Sequence, residues 1–189
     1  MKNTRSILFA FLLLVVAAAI YRIIPNRPLG FAPHIAMALF GGAVIKDRKW
    51  AFALPVFSMF LSDCIFELLF RAGWSDLPGF YDGQTTNYIL FALITFVGFA
   101  INRITIPRVL AGSLVAPLVY FVLSNTAVWM GGAGFQRPKT FDGWLLALGD
   151  GVPFLRGSIA ATVVFSVLLF GAYYWWKGDF RPSLQPAAK

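Results

Sequence analysis

The chain is poor in the residues that carry most enzyme chemistry. It has one cysteine, Cys64, and one histidine, His34, in 189 residues. A lone cysteine excludes an intramolecular disulfide and any four-cysteine metal site, and a lone histidine excludes a multi-histidine centre. Charge is also scarce: 13% of residues are Asp, Glu, Lys or Arg, where soluble domains run near ~25%. The sequence contains no HExxH, no GxSxG, no P-loop and no GxGxxG followed by an acidic partner, so neither hydrolysis nor nucleotide chemistry is expected. A Cys64–His34 nucleophile pair is conceivable, but one cysteine in an apolar run reads better as a packing residue. The expectation is a protein that is not an enzyme and holds no cofactor of its own.

What fills the space is apolar. The composition is 59% hydrophobic and 17% aromatic, with a mean hydropathy of +0.73, which describes a single integral membrane domain over 1–189. The net charge of +8 does not point to nucleic acid, because the basic residues gather at the ends of apolar runs and act as topology determinants. Those runs predict an all-α bundle of six transmembrane helices at about 6–24, 29–45, 50–70, 88–101, 109–130 and 154–176, with a flexible tail at 178–189. The basic start and Ala17-Ala18-Ala19 also resemble a signal peptide; the run is read here as the first span. With the N-terminus inside, ten Lys/Arg fall on inner segments and six on outer ones, so both termini are expected in the cytoplasm. In the second span, small residues four apart such as Ala38 and Gly42 would let helices approach closely in lipid.

The third span poses the main problem. It carries Asp63 and Glu67, and an aspartate at the centre of a membrane helix costs about 2.5–3.5 kcal/mol. Their i,i+4 spacing puts both on one helix face, which must look at other helices, a cavity or water. Glu67 reads equally well as an interfacial residue. On the assigned topology other polar groups gather at the same outer end: His34, Tyr81, Asp82, Asn125, Trp129 and Arg156. Together with Asp63 and Glu67 they form a candidate pocket for a polar organic solute. For His34 and Asn125 the plain alternative is an interhelical hydrogen bond of roughly 1 kcal/mol.

Several stretches resemble a bacterial family of small six-span proteins: Ile24-Pro25-Asn26-Arg27-Pro28, Met37-Ala38-Leu39-Phe40-Gly41-Gly42-Ala43, Leu61-Ser62-Asp63, Ser124-Asn125-Thr126-Ala127-Val128-Trp129 and Gly151-Val152-Pro153-Phe154. That family is similar to the S-components of energy-coupling-factor vitamin transporters, and most of all to the solitary BtuM-like, cobalamin-related group. The resemblance implies an S-component-like bundle in a bacterial cytoplasmic membrane that takes up a vitamin-like substrate, with cobalamin or another corrinoid as the leading candidate. It also implies a protein cysteine able to reach the cobalt, and Cys64 is the one available. By donor chemistry alone, the His34 imidazole or the Cys64 thiolate is soft enough to ligate cobalt. Ala17 to Ala19 are adjacent rather than four apart as in S-components that dock on a shared energising module, which fits a solitary protein. The alternative is an accessory subunit of a larger membrane complex with no ligand of its own.

Overall fold

The computed structural model describes residues 15–18, 20, 21, 24, 28–76 and 78–177, and every regular element among them is helical. Five helices have defined bounds: α1 (His34–Val44), α2 (Arg48–Arg71), α3 (Gln84–Phe99), α4 (Ile106–Gly131) and α5 (Phe141–Lys177). Residues 15–18, 20 and 21 are helical as well, and Val15 and Ala18 are buried in the common core. The rest of the predicted first span and the tail at 178–189 lie outside the described residues.

Helix α1 is the axis of the molecule. All of His34–Gly41 is buried, and α1 packs against each of α2, α3, α4 and α5. An 11-residue helix that is apolar all round has nowhere to go but the interior. It begins late because Pro28 and Pro33 bias the residues before them away from helix. Gly30 meanwhile turns the chain at φ +72°, a conformation that costs glycine little. Pro33 then stands at the helix start, where a missing N–H costs nothing.

Glycine lets the other helices reach that axis. A Cβ on Gly42 would lie 2.8 Å from Gly98 Cα, and one on Gly41 would lie 2.8 Å from the Ala51 carbonyl oxygen. The crossing of α1 with α3 and the turn into α2 therefore depend on absent side chains. Polar groups point in: Ser58, Ser62, Asp63, Thr95, Ser113, Thr162 and Ser166 are buried. Large apolar groups point out, among them Phe57, Leu93, Phe96, Leu114, Leu118, Val167 and Leu168. That inside-out arrangement suits a lipid-facing surface and would be a liability in water.

Among the described residues three helices are long and apolar enough to cross a membrane, α2, α4 and the Phe141–Trp175 part of α5, which is compatible with a membrane protein. The predicted second and fourth spans correspond to α1 and to the 16-residue α3. At ~1.5 Å per residue both fall short of a ~30 Å hydrocarbon core. Among the described residues apolar length therefore supports three crossings, where six were expected and the first lies largely outside the described residues.

The second departure is at the last helix. The connector expected over 131–153 is mostly helix, since α5 starts at Phe141 and runs through Pro153 for 37 residues. A proline inside a helix costs ~3 kcal/mol, and tertiary contacts on the N-terminal side of Pro153 offset it. Thr140 Oγ1 accepts from Gly143 N (3.2 Å), and Trp144 Nε1 donates to Thr126 Oγ1 on α4 (2.9 Å). Arg137 makes a two-pronged ion pair with Asp150, both contacts at 2.9 Å. These hydrogen bonds to Asp150 keep the Arg137 guanidinium protonated to still higher pH than usual.

Candidate functional site

At the end of the bundle where α1 and α3 begin and α4 finishes, the helices part around a cavity of about 480 Å³. Its floor is set by α1. His34, the first residue of that helix, is buried, with Nε2 3.4 Å from Ser58 Oγ on α2 and its ring 5.5 Å from Phe91. Phe91 on α3 stacks on Tyr120 of α4, centroids 5.1 Å apart and planes 16° from parallel. This pair presents a flat aromatic wall.

A chain of hydrogen bonds ties that wall to the loop above. Tyr120 donates to Asn87 Oδ1 (3.2 Å), and Asn87 Nδ2 donates to the Tyr81 hydroxyl oxygen (2.8 Å). One turn further along α4, Asn125 Nδ2 donates to the Phe121 carbonyl (2.8 Å) and Ser124 Oγ to the same carbonyl (3.3 Å). Gly151 of α5 lies flush against Asn125: a Cβ there would stand 2.6 Å from its Cγ. The remaining wall is the turn at Pro28–Gly30 packed on Phe154 and Ser158, where Ser158 Oγ donates to the Gly30 carbonyl (3.2 Å).

The predicted pocket residues divide. His34, Tyr81 and Asn125 line the cavity; Asp63, Glu67, Asp82, Trp129 and Arg156 do not, nor does Cys64. Asp63 is wholly buried but faces α3, where it accepts hydrogen bonds from Gln84 Nε2 and from the Tyr88 hydroxyl (2.5 Å). Gln84 Oε1 is buried with no hydrogen-bond partner among the described residues. Its amide is spent on steadying the carboxylate.

Glu67 pairs with Arg71 Nε (2.8 Å) and accepts from Gly79 N (3.3 Å), which anchors the loop after α2 to the end of that helix. Gly79 sits so close to the α2 backbone that a Cβ would come 2.8 Å from Glu67 Cβ. Trp129 donates to the Pro138 carbonyl (2.8 Å) and carries Lys139 Nζ 5.3 Å over its ring, so it braces the α4–α5 turn. Asp82 and Arg156 are exposed and Cys64 is half-buried. The i,i+4 spacing of Asp63 and Glu67 did place them on one face. That face meets α3 and the loop, so neither carboxylate lines the cavity.

Sequence reasoning missed Asn87, Phe91, Tyr120, Ser124 and Ser158 as cavity residues. One signal was available: Tyr120 and Ser124 are the i,i+4 polar pair in an otherwise apolar stretch of α4. Among the described residues no group of three or more His, Cys, Asp or Glu is placed to hold a metal ion. His34 is the cavity-lining side chain able to ligate cobalt, and its Nε2 already faces Ser58.

Comparison with known proteins leaves the chemistry open. Residues 2–184 match a family described as a family of unknown function, DUF6580. No curated protein and no solved structure matches the chain.

Proposed function

Starting from the fact that the chain belongs to the DUF6580 family, we propose that it is a membrane protein that binds a small organic solute and passes it inward. In this reading it sits in a bacterial cytoplasmic membrane, both termini inside, with the cavity toward the outer side. The chain crosses six times. Helices α1 and α3 cross as short segments because α1 is screened from lipid by its neighbours and need not match the bilayer's thickness. The observation that carries the reading is the cavity itself, an aromatic wall flanked by amides and hydroxyls at one end of an inside-out bundle. A mostly apolar pocket with a few placed polar groups is how proteins hold drug-sized ligands, in volumes of ~300–1,000 Å³.

Cobalamin, the candidate raised by family resemblance, has a flat ring with an amide rim that suits these groups. A cavity of about 480 Å³ is small for an intact corrinoid, which would enter edge-first; a single fused ring system fits whole. The test is to add cobalamin to the purified chain in detergent. Coordination by His34 shifts the corrin absorption, and His34→Ala abolishes the shift while Cys64→Ser retains it. An unchanged spectrum with no heat of binding rejects cobalamin and leaves smaller solutes. Native mass spectrometry in mild detergent separates the reading from that of an accessory subunit: a monomer with a bound small molecule supports it, and an obligate assembly without one rejects it.

A further inference from the structure

The cavity is polar without being charged. Among the described residues, no Asp, Glu, Lys or Arg side chain lines it. The nearby carboxylates of Asp63 and Glu67 are turned into α3 and the loop. A ligand that carries a net charge would leave water and meet no counter-ion there, and burying an unpaired charge is unfavourable even when neutral hydrogen bonds are offered.

The polar groups on the α4–α5 side, Asn125, Ser124 and Ser158, lean toward one role. Asn125 spends an N–H on the Phe121 carbonyl and keeps Oδ1 unbonded among the described residues. Ser124 and Ser158 likewise spend their hydroxyl protons on backbone carbonyls, of Phe121 and Gly30. Each leaves oxygen lone pairs toward the cavity, so this side accepts hydrogen bonds. One turn away from Ser124 on the same helix, Tyr120 stacks on Phe91. Resting on the solute-binding reading above, we propose that the ligand is an uncharged planar heteroaromatic compound bearing N–H donors, such as a ring carboxamide or an amino-substituted ring. Asn125 is the residue that reads the donor edge. Gly151 fixes the direction in which it reads, since any side chain there would displace the Asn125 amide.

The test uses the full chain in detergent with two matched pairs of probes: nicotinamide against nicotinate, and pterin against pterin-6-carboxylate. The members of each pair differ chiefly in charge. The neutral member is expected to bind on the order of 100-fold more tightly than the carboxylate, and Asn125→Leu to abolish that binding with the thermal melting curve preserved. Asn125→Asp keeps the shape and adds a charge; it should reverse the preference toward the cation N1-methylnicotinamide. Equal or tighter binding of a carboxylate by the unaltered chain overturns the inference and leaves the solute reading standing. Retention of neutral-probe binding by a folded Asn125→Leu variant overturns the role of Asn125. If no probe binds and native mass spectra stay free of adducts after incubation with neutral, anionic and cationic fractions of a bacterial extract, the solute reading fails and the inference with it.

Discussion

Where α1 stops, Gly41, Gly42 and Gly98 bring backbones into contact, and Gly112 gives room to Leu39 and Ile101. Where α1 starts, glycine works in the same way on a different partner: Gly30 and Gly157 bring the 28–30 turn against the α5 backbone, and Gly151 cedes its space to the Asn125 amide. One end of the bundle is a close-packed knot; at the other a cavity opens beside an equally close backbone contact, lined by polar side chains held to carbonyls. The contrast teaches that both ends of α1 are held by backbone contacts the cavity does not have to supply.

The largest effect should come from the knot. Gly42→Leu places four carbons where not one fits against Gly98, at or beyond the ~3 kcal/mol upper end of ordinary overpacking. Size-exclusion chromatography in detergent should recover no monodisperse protein. Next comes Asp63 beside the open end. Asp63→Leu leaves the buried Gln84 amide and the Tyr88 hydroxyl without their acceptor, at about 1–3 kcal/mol each. Asp63→Asn keeps an acceptor oxygen and should lose much less in the same thermal melt. A leucine variant more stable than the original would show that this polar hub is dispensable.

Gly149→Ala is the counter-test to Gly42→Leu. With nothing within 4 Å of the added carbon, it should stabilise α5 by about 0.5–1 kcal/mol. Smallest is Arg137→Ala. The pair it breaks is partly exposed, so the melting temperature should fall only slightly, and the difference should fade in ~1 M salt, where the Debye length is ~3 Å.

How much of this was legible depended on whether local signals and tertiary contacts agreed. Helices α2 and α4 were readable as long apolar runs because lipid-like composition alone specifies them. The start of α5 was not. Gly149, Asp150, Gly151 and Pro153 are turn residues taken one at a time, and contacts that no local pattern announces, Asp150 to Arg137 and Trp144 to Thr126, accompany their place in a helix. Among site residues, His34 and Asn125 were conspicuous as polar groups in apolar surroundings. Phe91 was invisible for the converse reason, since an aromatic in an apolar run gives no sign of whether it faces lipid or a cavity. Asp63 was conspicuous, and the expectation that it looks at another helix holds, since it accepts from Gln84 and Tyr88. Burial of a carboxylate demands partners without saying whether they are a ligand's or the protein's own.

The short central helix also bears on how the molecule is made. Eleven residues of helix reach only ~16 Å, too little to enter a membrane and stay there unaided. Its wall is incomplete until α5, the last of the described helices, has been synthesised. Biogenesis is therefore back-loaded. In the membrane setting proposed above, the segment that becomes the axis must wait until Phe141–Lys177 emerges, and chains truncated before Phe141 should be cleared by membrane quality control rather than accumulate.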